Sequence, residues 1–319
     1  MINPTHWAEN ILKNKNYIFD TSFIPVIQTP WSKVWKILTH SHGLIYLKKN
    51  VPSFSLEPRV IQFLSLKNPN TVPRIIAENQ ELYCFLMQDS GVPLKEIFQN
   101  KIQPDLLAMG LQQYIDLQNS LDSKDIQTLL KLGVSDWRLE KLPGLYHSVL
   151  DQENLLLEDG LSSEEINLVK KLEPKFIELC NDLSSFKIKE IFDHPDLHDE
   201  NLLLDPKTKN FTLIDFGEVS ITHPFFSRIT FLKKLSFRYV LKETDPDYLS
   251  LKNTGIESNP DHLNAWSLAE KIWPLYAIFG ELRLINSCDP IAFKKFNRRG
   301  RLSVYFREWI RNTGRHFLT

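Results

Sequence analysis

The stretch DHPDLHDENLLLDPKTKNFTLIDFGE, from Asp193 to Glu218, decides the fold of this chain. It contains two short apolar runs, 202–204 and 211–214, which flank the turn-forming segment DPKTKN. Apolar runs on either side of such a turn predict a β-hairpin. We therefore expect the chain to reverse direction here and to bring the two ends of the hairpin together.

Three polar side chains mark the open end of this predicted hairpin. Asp196 and Asn201 precede its first strand, and Asp215 follows its second strand. Phosphoryl transfer uses such a set: one carboxylate orients the attacking hydroxyl and accepts its proton, while an amide oxygen and a second carboxylate hold Mg²⁺. Each residue alone is more often a turn or capping residue. All three together, at these spacings, favour the catalytic interpretation.

The same stretch resembles the motifs of the aminoglycoside phosphotransferase and choline kinase-like family of small-molecule kinases. That family commonly has a loop of the form H-G-D-L-H-x-x-N, and this chain has HPDLHDEN at 194–201, followed by DFG at 215–217. Pro195 and Glu200 stand where the family often has glycine. The resemblance implies an α+β, bilobal protein kinase-like fold with a small β-rich N-lobe and a larger, mainly helical C-lobe.

The resemblance also implies an activity, which is the ATP-dependent transfer of the γ-phosphate to a hydroxyl of a small molecule. That molecule would be aminoglycoside-, amino alcohol- or sugar-like. Asp196 would be the catalytic residue that orients the hydroxyl and takes its proton. Asn201 and Asp215 would hold the magnesium ion that bridges the phosphate oxygens.

The first 88 residues have the pattern of the small lobe, and we expect the domains to be 1–88 and 89–319. Alternating apolar residues predict strands, one run with apolar residues at helical spacing predicts a helix, and QDSGVP ends the pattern. The predicted strands are 23–27, 33–38, 44–48, 71–77 and 82–87, and the predicted helix is 56–66.

Lys48 ends the third predicted strand, and Glu57 stands at the start of the following helix. A lysine at that place can reach the α- and β-phosphates of ATP, and a glutamate on the helix can hold it there. Lys49 is the rival candidate, but alternation along a strand places it on the opposite face. Lys48 alone would be interpreted as a solvated lysine, and the downstream motif favours the nucleotide-binding role.

The chain has no glycine-rich phosphate loop. The corresponding turn, QTPWS at 28–32, offers the hydroxyl of Ser32 and a few backbone N–H groups, so we expect Ser32 to contact the nucleotide. The adenine edge should meet backbone groups of 87–91, with Met87 as an apolar wall. Core packing is an equal alternative for Met87.

After Pro93 the pattern is mostly helical, and the region after Gly217 lacks the activation segment and A-P-E of protein kinases. This favours a small-molecule acceptor over a protein acceptor. Pro174 is expected to bend or break the predicted helix 162–183. The predicted helices are 105–120, 123–132, 137–150, 162–183, 264–284 and 301–312, together with a short helix at 4–14 and a helical segment after Pro224.

Composition limits the partners and the compartment. The chain has 319 residues, 42% of them hydrophobic, and a formal charge of −1, so nothing in its overall charge favours nucleic acid. Three dispersed cysteines fit a reducing cytoplasm. The N-terminus lacks the pattern of a signal peptide, and no apolar run is long enough to span a membrane. We therefore expect a cytoplasmic protein.

The C-terminal region is basic, with eight Lys and Arg residues between Lys294 and Arg315 against Glu308. We interpret it as the solvated face of a helix rather than as an anion site.

Two further hypotheses for the function stay open: a pseudokinase-type nucleotide-binding protein and an atypical protein kinase. The acceptor is also open. A polycationic aminoglycoside needs a pocket lined by carboxylates, and choline needs an aromatic cage, for which Trp266, Trp273 and Tyr276 are candidates by type.

Overall fold

The structure is a computed structural model that describes residues 3–20, 22–40, 42–99, 101–256, 260–296 and 298–313. The chain forms two compact units. The first unit contains Met1–Ser120, Asp199–Glu218 and Ser287–Ala292, and the second contains Leu121–His198, Val219–Asn286 and Phe293–Thr319. The expected α+β class is confirmed, while the domain boundary after residue 88 stays a prediction.

The helices and strands follow one another along the chain with short connections. The helices are α1 (Pro4–Asn14), α2 (Glu57–Lys67), α3 (Leu94–Phe98), α4 (Pro104–Asn119), α5 (Ser123–Leu132), α6 (Leu142–Leu150), α7 (Glu153–Asp159), α8 (Ser163–Lys171), α9 (Glu173–Ser185), α10 (Phe225–Tyr239), α11 (Pro246–Asn253), α12 (Pro260–Ser287), α13 (Pro290–Lys295) and α14 (Arg301–Thr313). The strands are β1 (Ile24–Gln28), β2 (Ser32–Thr39), β3 (Gly43–Asn50), β4 (Ile75–Asn79), β5 (Cys84–Gln88), β6 (Val92–Pro93), β7 (Ser135–Asp136), β8 (Ile191–Asp193), β9 (Leu202–Leu204), β10 (Phe211–Leu213) and β11 (Ser220–Thr222).

The first unit is built on an antiparallel sheet with the strand order β1-β2-β3-β5-β4. Helix α1 packs Ala8 and Leu12 against sheet residues that include Ile45 and Leu86. Because β3 is central in the sheet, the backbone of Lys48 pairs with β2 on one side and with β5 on the other. The sheet therefore fixes the position of Lys48 along the strand.

The predicted hairpin is present in the first unit as β9 and β10, which pair in antiparallel register, and β6 pairs with the other edge of β9. Gly91, just before β6, has φ +121° and lies against the backbone of Leu204. A Cβ atom at this position would stand 2.5 Å from the carbonyl oxygen of Leu204. Only glycine meets both demands without displacing the hairpin.

The second unit is mainly helical and includes a small sheet with the order β7-β11-β8. Its core is rich in aromatic side chains: the ring centroids of Tyr146 and Phe176 are 5.1 Å apart, and those of Phe176 and Trp309 are 5.9 Å apart. Across the described ranges, no helix has the length and apolarity needed to cross a membrane.

Several arginines of the basic C-terminal region are paired within the second unit. Arg298 donates from Nε to Glu281 at 2.8 Å, and Arg307 donates from Nε to Glu165 at 2.6 Å. Arg315 lies outside the described residues. The interpretation of the region as a solvated helix face rather than an anion site stays a prediction.

The expected break at Pro174 is present. The predicted helix 162–183 is two helices, α8 and α9, because Pro174 lacks an N–H group and occupies the first turn of α9. The predicted helix 137–150 differs from the observed one, which begins only at Leu142, because the N–H of Trp137 donates to the carbonyl of Ile221 in β11. Helices α3, α7, α11 and α13 have no counterpart in the predictions.

Candidate active site

A buried lysine between two carboxylates forms the centre of the site in the first unit. The Nζ atom of Lys48 lies 2.8 Å from the carboxylate of Glu57 and 2.6 Å from Oδ1 of Asp215. The side chains of Lys48 and Glu57 are buried, while that of Asp215 is 46% exposed. The arrangement places a cation beneath an exposed carboxylate.

Glu57 is held by groups on both sides. Asn50 donates from Nδ2 to Oε2 of Glu57 at 2.6 Å, and the backbone N–H of Phe216 donates to Oε1 at 3.0 Å. Glu57 therefore joins β3 and α2 to the segment that follows the hairpin. Gly217 allows the close approach, because a Cβ atom there would lie 3.2 Å from Cβ of Phe54.

Charge and burial act against each other in this cluster. Burial by itself would lower the pKa of Lys48, but the carboxylates of Asp215 and Glu57 outweigh burial and raise the pKa overall. Burial raises the pKa of Glu57, and Lys48 opposes that rise. The ammonium is thus maintained at neutral pH by its two partners.

Asp215 has an unusual backbone conformation, with φ +69°. Non-glycine residues with positive φ are uncommon and cluster at functional sites, and aspartate tolerates this conformation better than most. The Asp215 side chain emerges directly after β10, where the hairpin returns beside Asn201. The carbonyl of Asn201 accepts a hydrogen bond of 3.1 Å from the N–H of Ile214.

Asn201 and Asp215 therefore belong to adjacent, backbone-paired segments, and Asn201 is buried. One amide oxygen and one carboxylate are hard oxygen donors of the kind that Mg²⁺ prefers. No group of three or more His, Cys, Asp or Glu side chains forms a metal cluster in the described part of the chain. Asn201 and Asp215 each supply one oxygen donor at the end of the hairpin, and donors of this type would suit a Mg²⁺ ion.

Asp196 lies in the second unit, on the loop that follows β8. Asp193 anchors the start of this loop, because its buried carboxylate accepts from the N–H of Ser227 at 3.2 Å and from the hydroxyl of Tyr276. The Asp196 carboxylate has a partner at each oxygen: Lys234 of α10 at Oδ1, and His198 Nε2, 3.3 Å from Oδ2.

These partners decide the charge of Asp196. Burial opposes ionisation, but Lys234 and His198 together hold the pKa of Asp196 well below its usual range. The carboxylate is therefore ionised at neutral pH, and its side chain remains 38% exposed. It can accept a hydrogen bond from an incoming hydroxyl.

Ser32 and Met87 lie on the same sheet as Lys48. Ser32 begins β2, and its N–H donates to the hydroxyl of Thr29 within the turn at 2.9 Å. The Oγ atom of Ser32 is buried and has no hydrogen-bond partner among the described residues. Met87 lies in β5, opposite Tyr46 of β3. The roles of Ser32 and Met87 toward a nucleotide stay predictions.

Sequence reasoning missed two hydrogen-bond partners of the proposed site carboxylates: Asn50, which donates to Glu57, and Lys234, which contacts Asp196. Asn50 follows Lys48 by two residues, which places both on one face of β3. Lys234 interrupts the apolar run of α10, and a charge within such a run is a signal that the side chain has a partner. Its partner is 38 residues away in the chain, so only the fold reveals it.

No protein-family model matches this chain, and no curated protein sequence matches it. Solved structures do match. One is the GDP complex of wild-type aminoglycoside 2'-phosphotransferase-IIIa, with 14% identity, a TM-score of 0.61 and coverage of 99% of this chain and 100% of that chain.

Macrolide 2'-phosphotransferase type I matches with 11% identity and a TM-score of 0.58, covering 97% of this chain and 98% of that one. The choline kinase LicA from Streptococcus pneumoniae matches with 13% identity and a TM-score of 0.56, covering 97% of both chains. The chain therefore has the protein kinase-like fold that these small-molecule phosphotransferases share.

Proposed function

We propose that this protein is an ATP-dependent phosphotransferase that moves the γ-phosphate to a hydroxyl of a small molecule. The observation that carries the proposal is the buried Lys48, which is paired with Glu57 and with the exposed Asp215. A purely structural ion pair needs only one carboxylate, and Glu57 already provides it. Lys48 also contacts a second carboxylate, that of Asp215, which is partly exposed to solvent at the end of the hairpin. The likeness of the fold to that of several small-molecule kinases supports the same reaction class.

Lys48 would bind the α- and β-phosphate oxygens, and Glu57 would keep its ammonium in place. Asn201 and Asp215 would hold Mg²⁺, which neutralises the charge that develops on the phosphate oxygens during transfer. Ser32 would donate its hydroxyl to a phosphate, and Met87 would form part of an apolar wall for the base. These contacts would position the γ-phosphorus and lower the barrier by electrostatic stabilisation.

Asp196 would accept a hydrogen bond from the acceptor hydroxyl and align its oxygen with the γ-phosphorus. The new oxygen–phosphorus bond forms as the bond to the β,γ-bridging oxygen breaks, and ADP leaves. The proton of the hydroxyl passes to Asp196 and then to water. Because Lys234 and His198 keep this carboxylate ionised, it is a weak base that orients the hydroxyl first, as suits a loose transition state.

The buried thiols are consistent with the expected compartment. Burial raises the pKa of both Cys84 and Cys180 to about 12, so neither forms a reactive thiolate at neutral pH. We propose that the protein works in the cytoplasm, where such thiols stay reduced.

The test of the function is ATP turnover by Asp196→Ala. We expect ATP affinity to stay within about twofold of wild type and turnover to fall by ~10²–10⁴, the usual effect of losing a general base. Asp182→Ala is the matched control, because it removes an exposed carboxylate from α9 in the same unit. It should turn over ATP at the wild-type rate.

Turnover by Asp196→Ala at the wild-type rate would remove Asp196 from its proposed role. ATP binding by the wild type without any turnover would instead support the pseudokinase alternative.

A further inference from the structure

The positive charge next to Asp196 comes from the protein itself. Lys234 contacts Oδ1 of Asp196 and is 35% exposed, so an acceptor that reaches Asp196 also meets this ammonium. With Lys234 at Oδ1 and His198 at Oδ2, both oxygens of the carboxylate have a partner before any acceptor arrives. An acceptor that carries its own ammonium would have to displace Lys234 or lie beside a like charge.

The aromatic faces that could bind an ammonium also have lysines over them. Lys233 Nζ lies 5.2 Å from the ring centroid of Trp273, and Lys252 Nζ lies 5.4 Å from that of Trp266. Both indole rings are buried. Tyr276, the third candidate for an aromatic cage, is 1% exposed and donates its hydroxyl to Asp193. These rings are core residues and do not form an open cage for a quaternary or primary ammonium.

Two carboxylates near these rings are likewise paired with lysines. Glu308 lies 2.7 Å from Nζ of Lys233, and Glu270 lies 3.1 Å from Nζ of Lys252. A polycationic acceptor binds when its ammonium groups pair with carboxylates of the protein. In this protein it would have to take these two carboxylates away from their lysines. Here that exchange would leave partly buried lysines without their partners, which is unfavourable.

We propose, on the basis of the proposed function, that the acceptor is an uncharged polyol or sugar with no ammonium group next to its reacting hydroxyl. Lys234 occupies the position next to Asp196 that an ammonium group of the acceptor would otherwise occupy. Its ammonium has three donors, so besides Asp196 it can bind a second hydroxyl of the acceptor. The residue thus selects among acceptors by repelling those with an amine at that position.

The test compares matched pairs of acceptors that differ by one amine for hydroxyl exchange: glucose with glucosamine, glycerol with 2-amino-1,3-propanediol, and ethylene glycol with ethanolamine. The measurement is kcat/KM for phosphate transfer at pH 7. We expect the wild type to phosphorylate at least one neutral member and to prefer it to its amino partner by tenfold or more.

Lys234→Met keeps an unbranched, flexible side chain of similar size and removes its charge, and it should reduce this preference by at least tenfold. Lys233→Met is the matched control, because Lys233 is the neighbouring residue on α10 but pairs with Glu308 instead of Asp196. It should keep the wild-type ratio. A ratio is measured, so a general loss of rate in either variant does not affect the comparison.

Preference of the wild type for the amino members, or an unchanged ratio in Lys234→Met, would overturn the proposal. So would hydrolysis of ATP by the wild type with no transfer to any neutral acceptor, although the ATP-dependent function would then stand. Absence of both ATP binding and ATP turnover would overturn the proposed function itself, and this inference with it.

Discussion

Lys48 shows how one side chain can serve both stability and function. It is a buried cation whose charge is compensated by Glu57 beneath it and by Asp215 toward solvent. Removing one partner of a buried ion pair leaves the other charge uncompensated, which is more costly than removing both. The cluster is therefore sensitive to single substitutions.

We expect Lys48→Met to lower the free energy of unfolding by about 3 kcal/mol, because Glu57 then remains buried without its cation. The double variant Lys48→Met/Glu57→Gln should recover part of the loss. Urea denaturation measures both values. Lys49→Met is the control, since it removes the adjacent lysine of β3, which is not part of the cluster. Equal stability of Lys48→Met and wild type would show that the pair does not form.

His223 is a second residue whose charge state matters, and it affects the pH dependence of stability. The ring is fully buried, and its Nδ1 atom accepts from the N–H of Phe225 at 3.3 Å. Burial, with Arg228 and His262, lowers the pKa of His223 from 6.5 to about 3. The folded protein thus keeps the ring neutral at pH values where the unfolded chain binds a proton.

The contribution of the neutral His223 to the free energy of unfolding is fully present above pH 6.5 and is lost as the pH falls toward 3. Between pH 7 and pH 5 this loss is about 2 kcal/mol. His223→Gln should flatten the stability profile in this interval, as measured by urea denaturation at each pH. Burial raises the pKa of Asp193 to about 6, so this carboxyl makes the free energy of unfolding fall as the pH rises between 3.8 and 6. The wild type and His223→Gln share this contribution, so it cancels in the difference between their profiles.

His147→Gln is the control for this comparison, because that histidine is 67% exposed on α6. Its profile should follow that of the wild type. An identical slope for His223→Gln and wild type would contradict the neutral, buried state of His223.

At the level of elements, the hairpin of β9 and β10 positions both proposed metal ligands, and its packing against β6 depends on Gly91. We expect Gly91→Ala to lower the free energy of unfolding by about 2 kcal/mol or more, because the methyl group would collide with the carbonyl of Leu204 and the φ angle of +121° strains an L-residue. The displaced hairpin should also weaken Mg²⁺–ATP binding. Denaturation and nucleotide titration measure the two effects.

Gly144→Ala is the control for Gly91→Ala. Gly144 lies within α6, and nothing stands within 4 Å of the position of an added Cβ atom. Alanine favours the helix, so stability should rise by up to about 1 kcal/mol. A Gly91→Ala protein as stable as the Gly144→Ala protein would contradict the close approach of Gly91 to β9.

Sequence reasoning located the elements best where a local rule decides them. The turn residues DPKTKN identified the hairpin, and Pro174 identified the break between α8 and α9. It failed where tertiary contacts decide the boundary, as at Trp137, whose backbone bonds to β11 rather than to a helical turn. Short strands such as β7 and β8 have too few residues to show a periodic pattern.

At the scale of the whole chain, the fold class followed from one motif and from the order of strands and helices around it. The proximity of Lys48, Glu57 and Asp215 could be expected only through the resemblance, because Asp215 is 167 residues from Lys48. The pairing of Lys234 with Asp196 could not be expected at all, since neither periodicity nor motif relates α10 to the loop after β8. Long-range partners are therefore what the structure adds.

The central claim is that the exposed carboxylate of Asp215, above the buried Lys48, holds the metal–nucleotide complex. Titration calorimetry of Mg²⁺–ATP into the wild type, Asp215→Asn and the control Asp182→Asn tests it most directly. We predict measurable binding to the wild type and to Asp182→Asn, and at least tenfold weaker binding to Asp215→Asn, which corresponds to about 1.4 kcal/mol. Equal affinity of all three proteins, or no binding to the wild type, would contradict the claim.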